Sequence, residues 1–223
     1  MHLFQQQFIR AAIEAKALQF GQFTLKSGRV SPYFFNLGAF KTGKALALLG
    51  ESYAQCILAH QLSFDMLFGP AYKGIPLVTA TSYALATEFD HDTPYCFDRK
   101  EVKDHGEGGE LIGAPLNGEV LILDDVITKG TAIAHTMALL RKHGAKPAGI
   151  IIALDRQEVG QGQLSATQEI AKQYQIPVHS IITLTDILSY LAEGKVDISE
   201  EIQQAIVNYR NEYGLESLSN EIA

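Results

Sequence analysis

Short apolar runs alternate along the chain with longer segments in which apolar residues recur at helical spacing. The clearest run is Val-Leu-Ile-Leu at residues 120–123, which is too short for a helix and rich in residues that favour strands. An unbroken apolar run of this kind is typical of a strand buried on both faces of a parallel sheet. Comparable runs predict further strands at residues 64–68, 93–98, 148–154 and 178–184.

The segments between these runs predict amphipathic helices, as the first of them illustrates. Phe4, Phe8, Ala12 and Ala15 lie near helical spacing, with glutamine and charged residues between them. Helices are predicted at residues 3–18, 43–60, from the turn at 69–76 to about 86, 132–143, 165–174, 186–191 and 199–213. Strands that alternate with helices indicate an α/β fold with a central, mainly parallel sheet flanked by helices.

The composition suits a single domain over residues 1–223. With 47% hydrophobic and 19% charged residues, the chain can bury a substantial core and still form a small appended subdomain. The formal net charge of −7 disfavours a nucleic-acid partner, because such proteins are usually basic. Residues 1–7 lack the basic and apolar regions of a signal peptide, and no stretch approaches the length of a membrane span. We therefore expect a cytoplasmic protein in which Cys56 and Cys96 are reduced packing thiols.

Two carboxylates and a polar turn follow the apolar run at 120–123. Asp124 and Asp125 come first, then Thr-Lys-Gly-Thr at 128–131, and then the predicted helix. Ligands of open α/β sheets bind at the carboxyl ends of strands, and free N–H groups at a helix start can hold a phosphate. The carboxylates could then accept hydrogen bonds from sugar hydroxyls or help to hold a cation. Alternatively, the aspartates only begin a turn, and the turn only caps the helix.

A second polar turn, at residues 69–76, also stands between a predicted strand and a helix. It contains two glycines, two prolines and Lys73, and it is either an ordinary βα loop or a second phosphate-binding turn. Residues 98–110 form a long polar segment with three glycines at 106–109, which predicts a flexible loop. That loop is either simply exposed or a lid whose cations close over a polyanion and exclude water.

An aromatic segment near the amino terminus and one arginine complete the candidate residues. Residues 23–36 predict a hairpin around a glycine turn, with aromatic side chains that could form a small core or cover a flat ring. Arg156 follows the predicted strand at 148–154. It is either a surface ion-pair partner or the bidentate partner of a bound acid's carboxylate.

Residues 120–132 resemble the phosphoribosyl pyrophosphate (PRPP) signature of type I phosphoribosyltransferases. The resemblance implies that Asp124 and Asp125 contact the ribose hydroxyls. It also implies that the turn holds the 5-phosphate through Val126, Ile127, Thr128, Lys129, Gly130, Thr131 and Ala132. Lys129 departs from the pattern, since many relatives carry a small residue there.

Two further segments are similar to motifs of orotate phosphoribosyltransferases in particular. Residues 25–36 resemble the hood motif, which implies a small N-terminal hood subdomain at about 20–40, and residues 98–110 resemble the catalytic loop. The implied orotate-binding residues are Lys26, Phe34, Phe35, Thr128 and Arg156. The implied PRPP-binding residues outside the signature are Lys26, Tyr72, Lys73, Arg99, Lys100, Lys103 and His105.

The implied reaction converts orotate and PRPP into orotidine 5-monophosphate and pyrophosphate, in de novo pyrimidine biosynthesis. Mg²⁺ is the implied cofactor, held mainly by substrate oxygens and water, so no protein ligand is predicted for it. Lys103, His105, Asp124 and Asp125 are the implied catalytic residues, and the loop of that family closes over a site shared by two subunits, which implies a homodimer. The alternatives are a phosphoribosyltransferase for another base, such as a purine, and a non-catalytic PRPP sensor.

Overall fold

A computed structural model describes residues 1–25, 27–103, 109–128, 130–160 and 162–215, with side chains for all of these except residues 100–103. The elements follow one another as α1 (Leu3–Glu14), β1 (Leu18–Thr24), β2 (Val30–Phe35), α2 (Gly43–Ala59), β3 (Met66–Gly69), α3 (Gly74–Glu88), β4 (Tyr95–Lys103), β5 (Gly109–Gly113), β6 (Glu119–Asp124), α4 (Thr131–Lys142), β7 (Lys146–Asp155), α5 (Ala166–Tyr174), β8 (Val178–Thr183), α6 (Leu184–Ala192) and α7 (Glu200–Tyr213). In the described part of the chain, no helix is both long and apolar enough to cross a membrane.

A six-stranded sheet with the order β5-β4-β3-β6-β7-β8 forms the centre of the molecule. Its strands run parallel except β5, which is antiparallel to β4 at one edge. From β3 the chain proceeds towards one edge, and from β6 it proceeds towards the other. Because βαβ crossovers are right-handed, the helices that follow these two strands must cover opposite faces of the sheet.

Two hydrophobic clusters confirm this arrangement, one on each face of the sheet. Leu121 packs with residues of α1, α2, α3, α6 and α7, and the neighbouring Ile122 packs with residues of α4 and α5. The central strands β3, β6 and β7 are buried on both faces, as the unbroken apolar runs predict. The predicted α/β architecture is therefore confirmed.

The structure corrects the expected elements at three places. Helix α1 ends at Glu14 rather than at residue 18, because Lys16 has a φ of +57° and the chain turns there into β1. Strand β4 extends to Lys103, and β5 was not predicted at all. The polar residues at both ends of the expected loop are therefore arms of a hairpin, since an edge hairpin needs no apolar face to satisfy its backbone. Residues 104–108 lie outside the described part, and the flexibility of this segment stays a prediction.

The amino-terminal hairpin β1–β2 packs onto the main core rather than forming a separate one. Tyr33 is fully buried, and Phe20 and Phe35 are half-buried against the same cluster. Phe23 and Phe34 stack on each other with ring centroids 5.5 Å apart and remain half-buried. The aromatic segment thus supplies both core contacts and a partly exposed pair of rings.

The crossing of α2 and α3 gives a test of the fold. A Cβ atom on Gly50 would lie 2.4 Å from the carbonyl oxygen of Ala80, so the two helices would have to separate. We expect Gly50→Ala to lower the free energy of unfolding by about 1–3 kcal/mol, measured by urea denaturation. Gly43→Ala is the matched control, because a Cβ there meets nothing within 4 Å. Equal stability of the two variants would contradict the packing of α2 on α3.

Candidate active site

The carboxyl ends of β3 and β6 lie side by side at the point where the strand order reverses. Open α/β sheets bind ligands at such switch points. The turn 70–73 follows β3 directly, and a Cβ on Gly69 would lie 2.1 Å from the carbonyl oxygen of Gly74. Only glycine permits this close approach, so the turn folds back tightly before α3 begins.

An ion pair joins the two predicted motifs across the switch point. The Lys73 ammonium donates to Asp125 Oδ2, with the lysine side chain 57% exposed and the aspartate side chain 11% exposed. The backbone oxygen of Asp125 also accepts from Ala153 N at 2.9 Å, which holds the carboxylate against β7. A buried anion therefore faces an exposed cation that can move towards a ligand.

Asp124 is held from both sides at the end of β6. Tyr53 donates its hydroxyl to the Asp124 carbonyl oxygen at 2.7 Å, and Asp125 N donates to Asp124 Oδ1 at 2.8 Å. Burial, and then the charge of Asp125, raises the pKa of the Asp124 carboxyl to about 7. Near neutral pH the Asp124 carboxyl is therefore partly protonated when no ligand is bound, and positive charge on a ligand beside the pair would favour its ionised form.

The turn after the aspartates encloses a cavity of about 100 Å³ at the amino end of α4. This helix begins at Thr131, where free N–H groups and the helix dipole favour an anion. The cavity is lined by Asp124, Val126, Ile127, Thr128, Gly130, Thr131, Ala132 and Ile133. The structure therefore gathers most of the residues expected to hold the sugar and its phosphate.

Arg156 lies beneath the amino-terminal hairpin. Its Nε donates to Glu158 Oε1 at 2.7 Å, and its Nη2 donates to Ser31 Oγ at 3.2 Å. The guanidinium also stacks 4.2 Å from the ring centroid of Tyr33, and Tyr209 donates its hydroxyl to Glu158 Oε1 at 3.0 Å. Arg156 therefore already has an ion-pair partner, and its plane is set by contacts with the hairpin and α7.

Comparison with known proteins decides the family. A model of the phosphoribosyl transferase domain matches residues 37–164. The chain is 54% identical over 215 residues to the orotate phosphoribosyltransferases of Pectobacterium carotovorum subsp. carotovorum (strain PC1) and Proteus mirabilis (strain HI4320), covering 96% of this chain and 100% of each relative. The chain belongs to the orotate phosphoribosyltransferase family. The solved orotate phosphoribosyltransferase of Francisella tularensis matches with a TM-score of 0.84 at 43% identity, over 93% of this chain and 99% of that one.

The predicted type I phosphoribosyltransferase fold is confirmed, and the individual residue assignments stay predictions. Tyr72 is 65% exposed at the turn 70–73, where the Ala71–Tyr72 peptide bond is cis. Arg99 lies in β4, on the hairpin arm that leads to the expected loop. Several expected residues lie outside the described part of the chain, namely Lys26, His105, Lys129 and the side chains of Lys100 and Lys103.

Two charged residues of this region were missed by sequence reasoning. Glu158 holds Arg156 and also lies 3.4 Å from Arg29 of the hairpin. Asp98, in β4, accepts a hydrogen bond from Ala71 N at 2.5 Å. Asp98 precedes Arg99 and Glu158 lies two positions after Arg156, but neither has a signal in the sequence that would reveal its distant partners.

Replacement of Asp124 by asparagine tests the electrostatics of the carboxylate pair. A carboxyl whose pKa is higher in the folded state than in the unfolded state binds its proton more tightly when the protein is folded. Its contribution to stability is fully present below the pKa of the unfolded state, and it is lost as the pH rises through the folded-state pKa of about 7. Asparagine resembles the protonated acid at every pH. We therefore expect the free energy of unfolding of Asp124→Asn to exceed that of the wild type by about 2–4 kcal/mol at pH 8. The difference should shrink towards pH 4, as followed by denaturant unfolding.

Asp92→Asn is the control for this comparison, because Asp92 is exposed. Its stability should follow that of the wild type over the same pH range. A constant difference between Asp124→Asn and the wild type, or one that grows as pH falls, would contradict the raised pKa.

Proposed function

We propose that the chain transfers the 5-phosphoribosyl group of PRPP to orotate at the switch point, giving orotidine 5-monophosphate and pyrophosphate in de novo pyrimidine biosynthesis. Membership of the family and the 54% identity over nearly the whole chain support this pentosyl transfer. The observation that carries the assignment to this site is the contact of Lys73 with Asp125. It joins a turn suited to pyrophosphate to carboxylates suited to ribose hydroxyls.

The described residues suit the three parts of PRPP in turn. The cavity at the start of α4 would take the 5-phosphate on backbone N–H groups. Asp124 and Asp125 would accept hydrogen bonds from the ribose hydroxyls. Lys73 would leave Asp125 for the pyrophosphate, with Tyr72 beside it. Because the ribose lies between the two phosphate sites, its anomeric carbon would be held at the centre of the switch point.

The charges of the site match those that develop when the bond to pyrophosphate breaks. The ribose gains oxocarbenium-like positive charge, which the buried Asp124 and Asp125 stabilise without rearrangement. The leaving group gains negative charge, for which Lys73, Arg99, Lys100, Lys103 and His105 are the proposed partners. Lys103 or His105 would also neutralise or protonate the pyrophosphate oxygens. Orotate is itself an anionic nitrogen nucleophile near neutral pH, so no strong general base is required.

The carboxylates of the site also fit the proposed Mg²⁺ cofactor. Asp124 and Asp125 present the hard oxygen atoms that Mg²⁺ prefers, while the described residues contain no group of three or more candidate ligands. Substrate oxygens and water would therefore supply most of the ligands of the ion, and Asp124 and Asp125 would be the protein carboxylates that lie nearest to it. When bound, the ion would neutralise charge on the pyrophosphate.

The orotate side of the proposed site lies between β7 and the hairpin. Arg156 would donate to the orotate carboxylate, with Glu158 holding the guanidinium in plane. Thr128 would lie beside the base, and Phe34 and Phe35 would shape the pocket from above. Phe35 packs against the main core, so it would shape the pocket through the position of the hairpin.

A homodimer with shared active sites and a cytoplasmic location complete the proposal. The hairpin β4–β5 lies at one edge of the sheet, where a second subunit could reach it. A basic segment on an acidic chain is suited to a polyanion held by a second subunit. Both cysteines are free and buried, in keeping with a reducing compartment.

Pyrophosphate release from PRPP tests the reaction and its acceptor. With Mg²⁺ present, we expect release to require orotate, to cease on chelation of the metal, and to fail with hypoxanthine, uracil or adenine. Arg156→Lys should raise the KM for orotate by roughly tenfold or more with a smaller change for PRPP, because lysine cannot make the bidentate contact. Turnover with a purine would overturn the orotate assignment, and PRPP binding without any turnover would favour a sensor.

Mixed subunits test the shared site. Asp125→Asn and Lys103→Ala should each be nearly inactive alone. If each site combines Asp125 of one subunit with Lys103 of the other, random pairing leaves about a quarter of the sites intact. Activity should therefore reappear after the two variants are mixed under conditions of subunit exchange. Mixing each variant with more of itself is the control, and absence of recovery despite exchange would contradict a shared site.

A further inference from the structure

Asp98 occupies a position beside the turn 70–73 that strand pairing defines. Gly69, the last residue of β3, pairs with Phe97 of β4, so Asp98 is the first residue of β4 beyond the end of β3. Its side chain is only 8% exposed. The residue therefore faces the backbone of the turn rather than solvent.

The two carboxylate oxygens of Asp98 have different partners. Oδ1 accepts from Ala71 N at 2.5 Å, and Oδ2 lies 3.6 Å from His135 Nε2 of α4. The contact with Ala71 joins positions that are 27 residues apart in the chain. One side chain thus connects β4, the turn 70–73 and the helix that begins at the proposed phosphate cavity.

A buried carboxylate at this place is electrostatically unfavourable for binding pyrophosphate. Its negative charge would repel the leaving group, and burial of a carboxylate is itself costly unless its hydrogen bonds are satisfied. Direct contact between this carboxylate and a pyrophosphate oxygen is therefore unfavourable. The hydrogen bond to Ala71 N instead restrains the turn two residues before Lys73.

We propose that Asp98 is a positioning residue for pyrophosphate, which holds the turn through Ala71 so that Lys73 meets the leaving group. The inference rests on the proposed function of this turn. A residue that acts only on general stability would affect all ligands alike. Loss of a residue that positions the turn lowers the affinity for ligands that contain pyrophosphate. It leaves the affinity for orotidine 5-monophosphate unchanged, because that ligand has no pyrophosphate to contact the turn.

The test compares the affinities of Asp98→Ala, Asp98→Asn and the wild type for pyrophosphate, PRPP and orotidine 5-monophosphate by calorimetry. We expect Asp98→Ala to weaken pyrophosphate and PRPP by roughly ten- to a hundredfold, the usual effect of losing a hydrogen bond to a charged group. Asp98→Asn keeps an acceptor for Ala71 N and removes the charge. It should bind both ligands as tightly as the wild type or more tightly, and orotidine 5-monophosphate should bind equally to all three proteins.

Two outcomes would overturn the inference. The first is pyrophosphate binding by Asp98→Ala that is unchanged from the wild type or tighter, the latter being the effect of charge removal alone. The second is an equal loss of affinity for orotidine 5-monophosphate, which indicates general damage. If Asp98→Ala does not fold, Asp98→Ser replaces it, because that side chain stays polar but is too short to take over the hydrogen bond. The same two outcomes decide that comparison.

His135→Ala and Lys73→Ala complete the design. His135→Ala removes the other neighbour of Asp98 and should leave pyrophosphate affinity unchanged, whereas a loss equal to that of Asp98→Ala would refute the route through Ala71. Lys73→Ala tests the turn itself. If the wild type binds pyrophosphate only weakly and Lys73→Ala binds it with the same affinity, the proposed function of the turn is refuted. A loss in Lys73→Ala without a loss in Asp98→Ala would refute the present inference alone.

Discussion

The right-handed crossovers after β3 and β6 place α3 and α4 on opposite faces of the sheet, and this constraint creates the site. In open sheets a crevice forms between the strand ends at such a switch point. The turn 70–73 enters it from one side and the turn after Asp125 from the other. Two segments about fifty residues apart in the chain therefore meet at one place, as the hydrogen bond over 52 positions between Lys73 and Asp125 shows.

The charges of the site depend on how rigidly the sheet holds its acids. Asp124 and Asp125 lie at the end of a strand buried on both faces, and their backbone is tied to Tyr53 and Ala153. They cannot retreat into solvent, so the raised pKa of Asp124 reflects charge that the fold confines. The cation, Lys73, is by contrast largely exposed on a turn. Fixed anions and adjustable cations suit a ligand that must arrive and leave as a polyanion.

Much of the central sheet could be predicted because its signals are local. The apolar run at 120–123 and the turn that follows it identify β6, the carboxylates and the start of α4 within a dozen residues. Strand β5 escaped prediction because its five residues contain only two apolar side chains, Leu111 and Ile112, which are too few for a periodic signal. The partners of Asp98 and Glu158 could not be predicted for another reason. The contact of Asp98 spans 27 positions and one contact of Glu158 spans 129, and such contacts exist only once the fold has formed.

Donor and acceptor recognition are supported by different parts of the molecule. The proposed PRPP contacts arise from the ends of β3 and β6, which every arrangement of this sheet must bring together. The proposed orotate contacts depend on Arg156, whose orientation is set by Glu158, Ser31 and Tyr33. Two of these three partners belong to the hairpin, which lies outside the central sheet. If Arg156 binds the acceptor as proposed, acceptor identity depends on a structure added to a common fold, and a match of the sheet alone does not determine the base.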